Sequence, residues 1–263
     1  MFARVGKLSV VVLTVGSLAL PGCVTTREDR IGANDGSDRC YAYRVALDST
    51  GNYYAEDMLK GAAVGAVGGA LVGGLAGGDL RGALIGAAVG AAVGAAGGYW
   101  NAKMQQGRDQ AIVGTLADLQ TENDNLKKTQ AALDQLINCR RAEINTVKAD
   151  YKAKRIAREE AEARMAVIRT QVKKDYEIAS AINQNVTKRN EEYLFAADQV
   201  KPGSSQRIKT AAAATKKPTA PKPTKNTETA MLDQTMSNTV QKELINTQTQ
   251  TVAGLEGEAV ISG

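Results

Sequence analysis

Between Ile112 and Val200 apolar residues recur at alternating spacings of four and three, in one register that does not slip. The positions are Ile112, Leu116, Leu119, Asn123, Leu126, Gln130, Leu133, Ile137, Arg140, Ile144, Val147, Tyr151, Lys154, Arg158, Ala161, Met165, Ile168, Val172, Asp175, Ala179, Ile182, Val186, Arg189, Tyr193, Ala196 and Val200. Nineteen of these 26 are apolar, and charge, amides and alanine dominate the positions between them. A sustained heptad of this kind predicts a left-handed coiled coil over 101–200. No Pro occurs from Asn101 to Val200, and Gly occurs only at 107 and 114. One continuous helix over 104–199, about 145 Å long, is the expected form. The alternative is an antiparallel hairpin turning at Asn123-Asp124-Asn125 or Asn183-Gln184-Asn185. Seven seam positions are polar, and Arg140, Lys154 and Arg158 cluster midway. Such residues set register, or mark a hydrated or partner-binding section.

A second period precedes it. Gly61, Gly65, Gly69, Gly73 and Gly77 recur every four residues, as do Gly82, Gly86, Gly90, Gly94 and Gly98 after the connector Gly78-Asp79-Leu80-Arg81. Ala, Val, Leu and Ile fill the gaps. In water each helical Gly costs about 1 kcal/mol relative to Ala, so ten of them demand compensation. Spacing of four puts them on one ridge, along which two backbones can touch as they do in lipid. Residues 58–100 are therefore expected to form a membrane hairpin of two spans, each about 20 residues or 30 Å. Tyr53, Tyr54 and Lys60 flank one span, and Tyr99 and Trp100 the other, as interface anchors.

The first 22 residues read as a signal peptide, with Arg4 and Lys7 ahead of an apolar stretch from Leu8 to Leu20. It ends Leu20-Pro21-Gly22-Cys23, which resembles the bacterial lipobox. The resemblance implies acylation of Cys23, and Val24 rather than Asp at the next position favours the outer membrane. The covalent lipid is the only prosthetic group expected. Acylated residues 23–57 lead into the hairpin. Cys40 and Cys139 remain, an even count suited to one disulfide in an oxidising compartment, with intermolecular pairs or free thiols as alternatives.

Charge is unevenly spread. The net is +5, with +6 on residues 201–230 alone. That stretch holds four of the five prolines and reads as an extended, disordered basic linker. Residues 231–263 add a short amphipathic helix and a tail. The chain has no His, which removes imidazole-based nucleophile activation and imidazole metal sites. Basic and acidic residues balance along 101–200, so no nucleic-acid stripe is present. No catalytic or metal site is expected, and the carboxylate pair Glu159-Glu160 lies on an exposed face with no cleft.

The lipobox and twin glycine repeat together resemble the glycine-zipper lipoproteins of Gram-negative outer membranes, the surface-antigen type. The resemblance covers less than half of the chain, and the long helix departs from it. It implies an all-α lipoprotein of structural type whose zipper assembles in the membrane. The expected partners are membrane lipid, further copies of the chain in a homo-oligomer, and the cell wall or an envelope-complex protein. A pore, or an accessory subunit of a secretion or efflux machine, is the rival function.

Overall fold

The computed structural model describes residues 30–55, 97–215, 221 and 224–261. The signal peptide, Cys23, Lys60 and all zipper glycines except Gly98 lie outside the described residues. Six helices order what is described: α1 Tyr41–Ala55, α2 Gly98–Met104, α3 Arg108–Lys152, α4 Arg158–Val200, α5 Ser204–Ala214 and α6 Thr227–Glu258. The fold is all-α, and no strand occurs among the described residues.

The heptad region is not one helix. It breaks at 153–157, and α3 and α4 run antiparallel, with Arg140 against Asp175 and Glu122 against Arg189. Neither Asn-rich stretch is the turn. Asn123 is buried in α3, and Asn183 in α4 bonds Asn246 of α6 at 3.2 Å. The chain turns where the seam fails, at exposed Lys154 and Arg158. Lys154 takes the left-handed conformation, φ 56°. Its amide bonds the Tyr151 carbonyl, and the Arg155 amide bonds the Asp150 carbonyl at 2.9 Å, closing the end of α3. Arg155 also grips the Asp150 carboxylate, at 2.6 Å. Outside this turn the seam residues are largely buried within the chain itself. The seam is consumed internally and is not free to pair with a second copy.

Much of that burial comes from α6, 32 residues long rather than a short helix. It runs parallel to α3 and antiparallel to α4, with Glu228 by Arg108, Glu258 by Arg141 and Glu256 by Lys173. Its inner face mixes Met231, Val240, Ile245, Val252 and Leu255 with buried Thr235, Asn238, Thr239 and Thr249. The threonine hydroxyls bond the carbonyl four residues back, so they satisfy themselves and present methyl groups to the core. Asn238 donates to the Leu119 carbonyl and accepts from Asn123, both at 2.8 Å. These bonds fix the register of α6 on α3.

Residues 201–230 are not extended throughout. Gly203 (φ 76°) caps α5, whose Ile208 packs on Leu194 and Ala197 of α4 and on Leu232 and Met236 of α6. The second groove of the α3–α4 pair holds α1, then α2, and α1 runs antiparallel to α3, with Cys40 by Cys139 and Tyr53 by Glu122. Together they act as a fourth helix of the bundle, interrupted by residues 56–96.

Candidate functional site

Two constellations fix the interrupted helix, one at each end of α1. At its start the disulfide joins Cys40 to Cys139 of α3, with Cα atoms 5.9 Å apart. Beside it Arg140 is fully buried. It donates to Asp175 from α4 at 2.6 Å and to Asp38 at 2.7 Å, and meets Glu143 and Gln171 at 2.9 Å. Arg44 of α1 donates to the same Asp175 at 2.5 Å and pairs with Asp38 at 2.7 Å. Its other bonds go to the Ile31 and Gln171 carbonyls. Two guanidiniums thus face three carboxylates from four segments of chain. Burial pushes the Asp38 carboxyl up, but the bonds and charges of Arg140 and Arg44 outweigh it and hold the group below its ordinary value. Burial likewise opposes the charge on Arg140, and Asp38 and Asp175 reverse it, so the guanidinium titrates above its ordinary value.

The second constellation sits where α1 ends and α2 begins. Arg189 of α4 donates to Glu122 of α3 at 2.6 Å and to the Tyr53 hydroxyl at 3.0 Å, with its guanidinium 4.7 Å from the Tyr53 ring centre. Tyr53 donates to Glu122 at 3.1 Å and meets Tyr54 edge to face. Burial, then the Glu122 charge, pushes the Tyr53 hydroxyl up to about 12. A turn further along α4, Glu192 accepts from the Gly97 amide at 3.1 Å. Tyr99 donates to Asp118 at 2.7 Å and meets Tyr193 edge to face. Gly97 has φ 119°, and a Cβ there would lie 2.9 Å from the Phe195 ring. Only glycine fits this re-entry point, on both counts.

Arg189 and Glu192 are three residues apart, so the end of α1 and the start of α2 are held within about 5 Å of each other along α4. Tyr54, Tyr99 and Trp100 are buried in the protein, and Tyr53 is half-buried. They pack at the end of α1 and the start of α2, the two ends that flank residues 56–96. Gly98 opens α2. The sequence offered no warning of this role, because an aromatic pair beside an apolar run reads as an anchor in either setting. Asp38, Arg44, Glu122 and Asp175 went unnoticed as a group. The one available signal was that Arg140, Asp175 and Arg189 fall on the heptad seam, where a charge requires a buried partner.

Residues 40–102 match the model of the YMGG-like Gly-zipper family. The match begins at the disulfide cysteine and ends inside α2, so it spans the interrupted helix with the glycine repeat in its middle. Such a domain points to a membrane-associated structural role. No curated protein and no solved structure matches the chain. No helix among the described residues is long and apolar enough to cross a membrane.

Proposed function

We propose that the chain is an acylated structural lipoprotein of the bacterial outer membrane. The lipid on Cys23 and the glycine zipper of residues 58–100 hold it there. The bundle stands on the periplasmic side, and copies assemble through the zippers. The observation that carries this reading is the family match over 40–102, on a repeat rooted in a rigid bundle at both ends.

Two further features support it. The Cys40–Cys139 bridge is of the kind that persists in an oxidising compartment. The chain before α1 also runs back along it: Asp38 pairs with Arg44, and Arg30 bonds Asp48 at 3.2 Å. From residue 30 the seven residues to Cys23 reach at most about 25 Å. Asp48 lies only about 10 Å along α1 from Ala55, where the zipper departs. An acyl chain and a zipper can therefore enter one membrane.

The bundle buries its own heptad seam, so assembly falls to the zipper. Leu in place of Gly69 or Gly90 raises helix propensity and apolarity, and harms only close packing of backbones. The expected result is loss of the detergent-resistant oligomer, with Val72→Leu harmless. An oligomer indifferent to Leu at both glycines refutes assembly through the zipper. Cys23→Ser is expected to abolish fatty-acid labelling, and unchanged labelling refutes the anchor.

A further inference from the structure

We infer that the α3–α4 turn, residues 148–158, is a cationic tip that docks on the headgroups of an anionic phospholipid surface. The inference stands apart from the zipper reading, and the experiment below separates the two.

The tip stands clear of the other helices. α1 begins beside Cys139, and α6 ends with Glu258 beside Arg141 and the Ala259 carbonyl on Arg169. From Arg141 to Lys152, α3 runs on for about 16 Å, and α4 returns alongside it. Ile144, Val147, Ala161 and Met165 pack the two together there. At the outermost point Lys152, Ala153, Lys154, Arg155, Ala157 and Arg158 are all exposed.

Charge is segregated between this tip and the shaft behind it. Residues 148–158 hold five basic residues and one acid. The remainder of α3 and α4 holds eleven basic residues and fourteen acids. The one acid of the tip, Asp150, is engaged by Arg155 at 2.6 Å and by Arg164 at 3.9 Å. Arg158 pairs with Glu162 at 2.8 Å. No carboxylate among the described residues lies within ion-pair distance of Lys148, Lys152 or Lys154. The acids at the end of α6 pair on the shaft, Glu258 with Arg141 and Glu256 with Lys173.

Local structure accounts for only one of the outermost cations. Lys152 lies in the last turn of α3, where a cation offsets the helix dipole. Lys154 lies beyond it in the left-handed region, φ 56°, which Gly or Asn holds with less strain. Arg158 opens α4, the end at which the dipole disfavours a cation.

The apolar residues of the tip decide among polyanions. Tyr151 and Ile156 are half-buried, packed on the Ile144, Val147 and Ala161 cluster and part-exposed among the cations. Aromatic and aliphatic bodies between long cationic side chains suit a headgroup layer, where both find partners. A purely polar polymer gives those bodies nothing to contact. The other basic stretch, residues 201–230, spreads seven basic residues over thirty, and its Lys209 pairs with Glu191 at 2.9 Å. It leads into α6 at the opposite end of the bundle, where Glu228 meets Arg108, and so provides the control.

The test uses the full-length, disulfide-bonded protein with vesicles of phosphatidylcholine, alone or mixed with phosphatidylglycerol. A fluorescent amino acid is introduced at Ala153, or at exposed Gln250 of α6. Circular dichroism and the intact disulfide confirm folding of each variant. Brominated lipid in the mixed vesicles is expected to quench emission at 153 several-fold more than at 250, and high salt or phosphatidylcholine alone to abolish the difference. Lys152→Gln with Lys154→Asn is expected to bring quenching at 153 down to the level at 250, because each cation at an anionic surface contributes about five-fold in affinity. Lys201→Gln with Lys225→Gln removes the same charge elsewhere and should leave it unchanged. Equal quenching at 153 and 250 in mixed vesicles overturns the inference. So does quenching at 153 that is as strong with phosphatidylcholine alone, or that falls only in the Lys201 and Lys225 variant. A response at 153 to isolated peptidoglycan and none to mixed vesicles also overturns it, and assigns the tip to the cell wall. Protein that fails to float with phosphatidylcholine vesicles refutes the zipper reading, while selective quenching at 153 in mixed vesicles still supports the tip.

Discussion

Replacing Asp175 by Asn keeps the shape of the side chain and removes one charge from the buried cluster. Asp175 is fully buried and accepts from Arg44 at 2.5 Å and from Arg140 at 2.6 Å. Asn offers one acceptor oxygen where two guanidiniums need one each, and it turns an amide donor towards the other. One guanidinium then loses its bond inside the protein, where water cannot replace it. Breaking a buried pair from one side costs about 3–5 kcal/mol, and Asn falls at the lower end because it keeps one bond. For a domain of this size about 3 kcal/mol lowers the melting temperature by roughly 6–12 °C. The cost is expected to persist in high salt, because the pair is shielded from mobile ions. Glu162→Gln is the control. It breaks the half-exposed Arg158–Glu162 pair and is expected to cost no more than about 0.5 kcal/mol. Asp175→Leu combined with Arg140→Met removes charge from both sides and leaves Arg44 paired with Asp38 at 2.7 Å. The double variant should therefore be more stable than the sum of its single variants implies, with a coupling of about 1–3 kcal/mol. Urea unfolding in detergent, followed by circular dichroism, measures the parent and all five variants. An Asp175→Asn cost below about 1 kcal/mol, or strict additivity, would refute the claim that this cluster locks α1 to the bundle.

Three other outcomes are expected. Cys139→Ser opens a link between residues 99 apart in sequence and should cost up to about 5 kcal/mol; unfolding curves of the variant and of reduced parent protein should coincide. Lys154→Gly relieves a left-handed Lys at the α3–α4 turn and should raise stability by about 0.5–1 kcal/mol, read as a higher urea midpoint at unchanged slope. Burial raises the hydroxyls of Tyr53, Tyr54, Tyr176 and Tyr193 above the ordinary value of 10, Tyr53 to about 12. A raised folded value means the native state holds protons more tightly, so its stability is complete below pH 10 and is lost as pH climbs through the folded values. Each deeply buried tyrosine contributes up to about 1.4 kcal/mol per pH unit above 10, and half-exposed Tyr53 less. Alkaline titration should show steep unfolding between pH 10 and 12, and Tyr54→Phe and Tyr193→Phe should each remove part of the tyrosinate absorbance that appears with unfolding; loss of absorbance that rises ahead of unfolding in either variant would contradict it.

The local periods were legible in the sequence. The four-residue glycine repeat identified the zipper, and the heptad seam from Ile112 to Val200 named most of the residues that α3 and α4 bury. The seam also held Arg140, Asp175 and Arg189 at positions that are indeed inside the protein. Position on a helical face is a local property, set by 3.6 residues per turn, and sequence spacing reports it directly. The partner of that face is not local. Tertiary packing decided that α3 and α4 fold back on each other at Lys154 with no Gly or Pro to mark the turn. It also decided that α6, whose inner face is half Thr, Asn and Gln, supplies the remaining wall. Those side chains pass as solvent-exposed until their bonds are seen, since a Thr hydroxyl bonded to its own helix hides its polarity. The aromatic residues that bracket the zipper were ambiguous for the same reason. Tyr and Trp suit a lipid interface and a protein interior alike, and only tertiary packing brought Glu122, Asp118 and Arg189 from elsewhere in the chain against the tyrosine hydroxyls.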